Sequence, residues 1–588
     1  MQRRVRGPRV AACLAAAALT FACAVTAALS SAAPARAASD TEVAAAVQRA
    51  VAWLHGRQHA DGSFGVNSGL DPAWALLGIA GAGVHPADLR HVPAGGGAAG
   101  PSAQDGQLQV WTVNDPADWW AFTDEQATDW ERAILQAHAA GLHATRLSPQ
   151  RNMLAGLAAW YRDGWFTSQT SVLNHTIFGL LALSALPVPD ALRERTARVV
   201  ERNQHDDGGY TSYPATDPAT RAGRSDVDST GAAIGALCAA GRTPADSSVA
   251  GGISFLRTTR AQGGAIGNVN STSWALDGLG ECGIRRGAAG WTAEDEKTVD
   301  WLLAAQATSG PDAGAWTVNG SANEYATADA LRALSAAAFV VGAPPRANPA
   351  DPRLRPVPDD ADGTVVPVAL VVDPGHGDAR LCATDAPVGA TVAQLLEAAR
   401  LSSRPAGCIA SLTFSGGLLK QLDGIGVTGA GGWRASLHGG AESAAGPQRV
   451  GFGDIVAVRL EDHSPLQFDV SAIAFGAQPE GFLGAPRAAT LRNVGDVPVR
   501  VAALRVGGEH AGDFVLSTQE CVGETLAPGE QCGVRLRFGP GAGGERRALL
   551  SARLDGFDWR PQLALSGTGG PLPSGPPGGA GGIGAAGA

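Results

Sequence analysis

The chain has 588 residues, 45 Lys and Arg against 55 Asp and Glu, and a formal net charge of −10. The charges are dispersed and no basic patch with interleaved aromatics occurs, which excludes nucleic acid as a partner. The length calls for several domains.

Residues 1–37 read as an export signal. Arg3, Arg4, Arg6 and Arg9 form a basic head, Val10 to Leu29 is apolar, and Ala35-Arg36-Ala37 is a small-x-small cleavage site. No later stretch reaches the ~20 continuous apolar residues of a membrane span. With only two lysines and abundant Ala, Gly and Arg, the composition is that of a GC-rich bacterial genome. The expectation is a secreted, extracellular or cell-surface-associated bacterial protein with no transmembrane segment once the signal is removed. Cys13 and Cys23 leave with the signal, and the remaining cysteines pair by locality as Cys238–Cys282, Cys382–Cys408 and Cys521–Cys532. None has the CxxC spacing of a structural zinc site.

Two motifs alternate from residue 41 onward. Val51–Gly65, Val199–Tyr210 and Val299–Trp316 are amphipathic helices ending in Gln58, Gln204 and Gln306. Each is followed by a Gly-containing turn and an aromatic, Phe64, Tyr210 or Trp316. The second motif begins with Asp, Asn, Ser or Thr and continues with Ala and Leu at helical spacing. It occurs at SDVDSTGAAIGALCAA (225–240), NVNSTSWALDGL (268–279) and NEYATADALRAL (323–334), which align on Thr230, Thr272 and Thr327. The polar cluster is a helix cap, because side-chain oxygens accept the orphan N–H groups of a first turn. One outer and one inner helix make a repeat of roughly 40 to 50 residues. Residues 84–118, rich in Gly and Pro, read as a loop across the mouth of such an array. Asp124–Leu142, Arg151–Tyr161 and Ser171–Leu186 add further helices, for about eleven in all.

These residues resemble the Gln-Trp-type repeats of the squalene cyclase and protein prenyltransferase superfamily. The resemblance implies an α/α toroid over 41–342, with about six helix pairs around a central cavity.

Residues 343–364 are a Pro-rich linker, after which hydrophobicity alternates with a period of two. Val365–Val372 reads as a buried strand and Gly389–Ala399 as a short helix. Trp433 and Gly453-Asp454 complete an ordered set over 365–462 that resembles the C-terminal β-domain of transcobalamin and intrinsic factor, a small α+β unit of ubiquitin-like or β-grasp type. Its turn is His438-Gly439 where that family has Asn-Gly. Residues 466–570 carry strands spaced as in an all-β sandwich and resemble the abnormal-spindle/Hydin type of Ig-like domain; 571–588 is a low-complexity tail expected to be disordered.

For chemistry, Asp226-Val227-Asp228-Ser229-Thr230 is the sharpest stretch. It resembles the D-x-D-D-T-A acid motif of class II terpene cyclases, but Ser229 replaces the last Asp and Gly231 the Ala. With one acid missing and an export signal present, the motif reads as a cap with a polar interior role, and no catalytic residue is assigned. A degenerate cyclase-like enzyme is the alternative. A prenyltransferase-type zinc site lacks its ligand set, and no metal or cofactor is expected. What remains is binding. Ligand sites are concave and aromatic-lined with a few polar groups, and the aromatics favour the toroid mouth: Trp74, Trp160, Tyr161, Trp165, Phe166, Tyr210, Tyr213, Trp274, Trp316 and Tyr325. The transcobalamin resemblance implies a bulky small molecule, a cobalamin-type corrinoid, held between toroid and β-domain. The candidate contacts are Trp160, Tyr161, His175, Tyr210, Asp226, Asp228, Trp274, Tyr325 and Trp433. A structural or adhesive surface module binding protein or glycan is the other alternative.

Overall fold

The computed structural model describes residues 37–65, 71–93, 95–106, 127–147, 152–166, 172–213, 225–335, 337–347, 363–374, 378–426, 432–461, 466–494, 498–555 and 561–571. Residues 1–36 of the expected export signal (1–37), most of the expected linker and the tail beyond 571 lie outside these residues. A helical part is followed by a sheet-rich part.

Six helices contact one another in a closed ring: α2 (Asp71–Gly81), α3 (Ala127–Ala139), α5 (Leu173–Ser184), α7 (Val227–Ala239), α9 (Val269–Glu281) and α11 (Glu324–Ser335), which returns to α2. Outside them lie α1 (Asp40–His55) on α11, α4 (Met153–Ala158) on α3, α6 (Asp190–Arg202) on α5, α8 (Ser247–Thr259) on α7 and α10 (Ala293–Ala304) on α9. No helix among the described residues is long and apolar enough to cross a membrane.

The repeated residues do the same work at each repeat. Asp226, Asn268 and Asn323 accept from the backbone N–H groups of Ser229, Ser271 and Ala326 at 2.6, 3.0 and 2.8 Å, capping the inner helices. The Thr230, Thr272 and Thr327 hydroxyls accept from the backbone N–H groups of Tyr210, Ile266 and Trp316 at 2.9–3.0 Å, tying each turn to the inner helix that follows. Thr176 does this for Phe166 at 3.1 Å, a fourth copy the sequence pattern did not reveal. Gln58, Gln204 and Gln306 donate to the carbonyls of Gly62, Gly208 and Gly314, closing the turns. Each Gln makes a second bond; that of Gln306 reaches Ala46 of α1 at 2.9 Å and joins the last outer helix to the first. Glycine lets α7 and α9 approach closely: a Cβ at Gly231 would lie 2.4 Å from the Trp274 carbonyl oxygen, and one at Gly278 would lie 2.2 Å from that of Gly231.

Among the helices, β1 (Tyr161–Arg162) pairs with β2 (Trp165–Phe166) and β3 (Thr317–Val318) with β4 (Ser321–Ala322); further on, β7 (Leu412–Ser415), β8 (Leu418–Leu422) and β9 (Ile425–Gly426) form a small three-stranded sheet. The first large sheet has the order β11-β10-β12-β5-β6, formed by β5 (Val365–Asp373), β6 (Arg380–Pro387), β10 (Gly432–Leu437), β11 (Ser443–Ala444) and β12 (Ile455–Glu461). Only β12 and β5 pair in parallel. Both faces are covered, which explains the unbroken apolar run of β5. Val366, Val368, Leu370 and Val372 point to α12 (Val392–Leu401), together with Val456, Val458 and Trp433. The alternate residues Ala369, Val371, Ala383 and Ala457 pack on Met153, Leu154 and Leu157 of α4 in a core shared with the helical part. Across this seam the Tyr161 hydroxyl donates to the Ala379 carbonyl at 3.2 Å, Arg195 donates to the same carbonyl at 3.0 Å, and Arg146 meets Asp454 at 3.1 Å.

The last unit has two sheets around one core. One has the order β13-β15-β19-β17, with β13 (Leu466–Phe468), β15 (Arg487–Asn493), β17 (Phe514–Gln519) and β19 (Gln531–Phe538). The other has β14-β21-β20-β16-β18, with β14 (Ala472–Pro479), β16 (Val499–Gly507), β18 (Thr525–Leu526), β20 (Gly544–Leu554) and β21 (Gln562–Gly570). Three disulfides, Cys238–Cys282, Cys382–Cys408 and Cys521–Cys532, have Cα separations of 5.1, 6.2 and 5.2 Å. The first joins the C-terminal ends of α7 and α9, and each closes within its own unit, as sequence locality predicts.

Candidate ligand-binding site

The inner helices run parallel, so their N-terminal ends gather at one mouth of the ring. His175, Asp228, Asn270 and Tyr325 stand in the first turns of α5, α7, α9 and α11. Arg132 of α3 joins them, near enough to act on both His175 and Tyr325. Trp274 lies one turn below Asn270. Asp228, Asn270, Trp274 and Tyr325 are half-buried, and His175 is buried. Residues 66–70, 107–126, 167–171 and 214–224 lie outside the described residues.

Beneath the polar rim the ring is filled with aromatics. Trp74 packs on Phe178, Trp274 and Tyr325 with centroids 6.0, 5.7 and 5.8 Å away. Phe339, from the segment after α11, enters from the opposite end and stacks edge-on against Trp274 at 5.6 Å. Edge-to-face geometry aligns positive ring edges with negative faces.

The floor also holds a buried charge cluster. Arg332 stacks on Trp74 and Phe339, with its guanidinium 4.8 and 5.2 Å from the ring centroids. It reaches Asp277 at 2.6 Å and Asp329 at 3.2 Å, and all three side chains are fully buried. Asp329 in turn accepts from Asn270 and from the Trp274 indole, each at 2.9 Å, so the floor positions the rim. Burial pushes both carboxyls up, against the pull of Arg332. Burial alone would pull Arg332 down, but the two aspartates hold it above its ordinary range. One buried guanidinium facing two carboxylates leaves an excess negative charge, which a low-dielectric site disfavours. Burial and mutual repulsion thus both act against ionisation of Asp277 and Asp329 together.

At the rim, burial and then Arg132 depress His175 to about 4, so the imidazole is neutral at physiological pH. Burial raises Asp228, a hydrogen bond from Ser271 opposes this, and Asp226 adds to it. Among the described residues, Asp228 Oδ1 and His175 Nδ1 have no hydrogen-bond partner. The arrangement offers a neutral donor–acceptor, a carboxyl, an amide and the Arg132 guanidinium, itself paired with Asp129, above an aromatic floor. That set suits a large ligand with an apolar body and a polar periphery.

The other expected contacts stand elsewhere. Asp226 caps α7 at the edge of the mouth. Tyr210 is fully buried in its repeat turn. Trp160 and Tyr161 lie at the seam with the first large sheet, Tyr161 being raised to about 12 by burial. Trp433 is buried on the α12 side of the sheet, the face turned away from the helical part. Sequence reasoning missed Arg132, Asn270 and the Asp277–Asp329–Arg332 cluster. The available signal was charged residues at helical spacing inside otherwise Ala/Leu-rich inner helices. No group of His, Cys, Asp and Glu among the described residues has the geometry of a metal site.

No family model matches the chain, and no curated protein matches it. Solved structures to which it is similar include haptocorrin in complex with Cbi, at 14% identity over 72% of this chain and 98% of that one, with a TM-score of 0.34. The type II terpene cyclase MstE from Scytonema is similar at 16% identity over 50% of this chain and 97% of that one, with a TM-score of 0.35. The protease VesB from Vibrio cholerae is similar at 18% identity over 18% of this chain, which spans 32% of the VesB chain, with a TM-score of 0.15.

Proposed function

We propose that the chain is an exported, non-catalytic binding protein: an α/α toroid over 41–342, a β-grasp-type domain over 365–462 and an Ig-like sandwich over 466–570. In this reading the toroid mouth captures a bulky small molecule. The observation that carries it is the layering of Arg132, His175, Asp228, Asn270 and Tyr325 over the Trp74–Phe178–Trp274 floor. A cobalamin-type corrinoid, flat and apolar with an amide-rich edge, is the first ligand to test. A corrinoid lodged between the two domains would have to part the seam, where side chains share a core. The test is the absorbance spectrum and mass of molecules co-purifying with natively exported protein, followed by calorimetry with a corrinoid panel. Trp274→Ala is expected to weaken binding at least tenfold, about 1.4 kcal/mol, with the melting temperature as the folding control. Binding of no corrinoid and no co-purifying molecule would favour the structural or adhesive surface module instead.

One observation favours a degenerate cyclase-like enzyme: Asp228, raised by burial, at the head of α7 above aromatic rings. A protonating acid needs such a raised carboxyl, but Ser229 stands where a further carboxyl would supply repulsion. We expect no turnover of squalene or polyprenyl diphosphates. A cyclised product that disappears in Asp228→Asn would reverse the assignment.

A further inference from the structure

The ring closes where its first outer helix meets its last. Gln306, just after α10, donates to the Ala46 carbonyl of α1 and accepts from Arg49 of α1 at 2.7 Å. Val43 and Val47 of α1 share one core with Val299 and Leu302 of α10. At the start of α1 the main chain adds a further tie. The Ala38 N–H donates to the Asp300 carboxylate of α10 at 2.8 Å, and Arg286, between α9 and α10, donates to the Ala38 carbonyl. Ala37 is exposed, Ala38 is half-buried, and Ser39 caps α1 in a reciprocal box with Glu42.

The charges around Ala38 leave one carboxylate unmatched. Arg286 is shared by Asp40 at 2.9 Å and Glu296 at 2.7 Å, Glu42 accepts from the Ser39 N–H at 2.6 Å, and Lys297 pairs with Glu294 at 2.7 Å. Among the described residues, Asp300 has no ion-pair partner; what it accepts is the Ala38 N–H. The sequence predicts cleavage of the export signal between Ala37 and Ala38, at this same nitrogen. Hydrolysis adds water across that bond. The hydroxyl goes to the Ala37 carbonyl carbon, the hydrogen to the Ala38 nitrogen, and the proton of the new acid passes to the new amine, leaving a carboxylate and an α-ammonium at pH 7. The neutral bond to Asp300 then becomes a charge-assisted one, which is roughly twice as strong. A positive charge ahead of a helix start opposes the helix dipole, and Asp40 and Glu42 in the first turn of α1 offset it.

We propose that removal of the signal installs a charged latch on the ring: the Ala38 α-ammonium pairs with Asp300 and clamps the first outer helix to the last. The latch rests on the reading of the chain as exported and processed, and not on any ligand. A ring that begins at Ala38 is thereby more stable than one carrying residues ahead of it. Its sign with pH follows from the pairing. Asp300 favours the charged amine, so the gain is complete below the ordinary α-amino value of about 7.7–8.0 and is lost as pH rises through the higher folded value.

Mass spectrometry of the exported chain is expected to find Ala38 as its first residue, and any other first residue overturns the processing step. The pair is tested separately, on chains 38–588 whose Ala38 terminus is freed by a site-specific protease, with a chain carrying Gly-Ser ahead of Ala38 and with Asp300→Asn. Trace acetylation across a pH series, read on the N-terminal peptide with Lys297 and Lys420 as internal references, follows the α-amino group. It should titrate at least about half a pH unit higher in the parent than in Asp300→Asn. In calorimetry at pH 7 the helical part of the parent should melt about 2 °C above that of the Gly-Ser chain. Asp300→Asn should abolish this gap, and so should pH 10, where the amine is neutral. Equal titration of the α-amino group in parent and Asp300→Asn overturns the latch. Absence of the melting gap at pH 7 does so as well, and a gap that persists at pH 10 overturns it by showing that the added residues act through bulk alone.

Discussion

Replacing Arg332 with alanine is expected to destabilise the helical part by about 3–5 kcal/mol, the usual effect of breaking a buried ion pair from one side. Asp277 and Asp329 would remain in a fully buried site with no cation. Two features then add to the loss. Trp74 and Phe339 lose the guanidinium stacked on both, and a cavity opens where that side chain stood. The sign of the pH dependence follows from the direction of the shifts. Burial holds both carboxyls above their unfolded values. Their contribution is therefore most favourable below the unfolded value of about 3.9 and is lost as pH rises through the folded values. Without Arg332 both must stay protonated, so the melting temperature of the variant should fall more steeply than that of the parent between about pH 5 and pH 8. Adding Asp277→Asn and Asp329→Asn removes the stranded charges and should flatten that slope. Thermal melts at the two pH values decide it. A variant within about 1 kcal/mol of the parent, with a parallel pH profile, would show that the cluster does not hold the floor together.

The parts of this architecture that the sequence revealed are those set by local chemistry. Thr230, Thr272 and Thr327 align because each must accept a bond from the turn before it, and that need recurs at a fixed place in every repeat. His175, Asp228 and Tyr325 fall together at one mouth for the same reason, since each lies in the first turn of an inner helix, and helices related by the repeat present those turns at the same level. The position of Trp433 was not legible. Its strand alternates, with Trp433, Ala435 and Leu437 on one face and Arg434 and Ser436 on the other, so hydrophobicity says that Trp433 is buried, whereas which layer covers that face, α12 and not the helical part, is set by the packing of the whole sheet. Tyr210 was misleading in another way, because an aromatic that closes a repeat turn and one that lines a cavity look alike in sequence. Phe339, next to the Pro-rich linker, gave no sign that it fills the ring from below, since only the path of the chain after α11 brings it there.

The helical part made alone, residues 38–347, is expected to aggregate or to melt on the order of 10 °C below the chain ending at residue 461. A Pro-rich linker between units suggests separable domains, but the packing joins these two. Met153, Leu154 and Leu157 of α4 share one core with Val371, Leu381 and Ile455 of the sheet, all at 0–1% exposure. Helix α4 is only six residues long, so it cannot cover this flank without the sheet. Alanines at 369, 379, 383 and 457 let the strands come close. Uncovering three large side chains at about 1.5–3 kcal/mol each amounts to roughly 5 kcal/mol or more, comparable to the whole stability of many domains. At about 2–4 °C per kcal/mol for a unit of this size, the shift should be unmistakable in calorimetry. The bonds from Tyr161 and Arg195 to the Ala379 carbonyl would be lost as well. Removing the sandwich from residue 466 onward should leave the melt of the remainder nearly unchanged, because its two sheets pack around a core of their own. A monomeric 38–347 fragment with the melting temperature of the longer chain would mean that the seam is a loose contact. A ligand as large as a corrinoid could then part it.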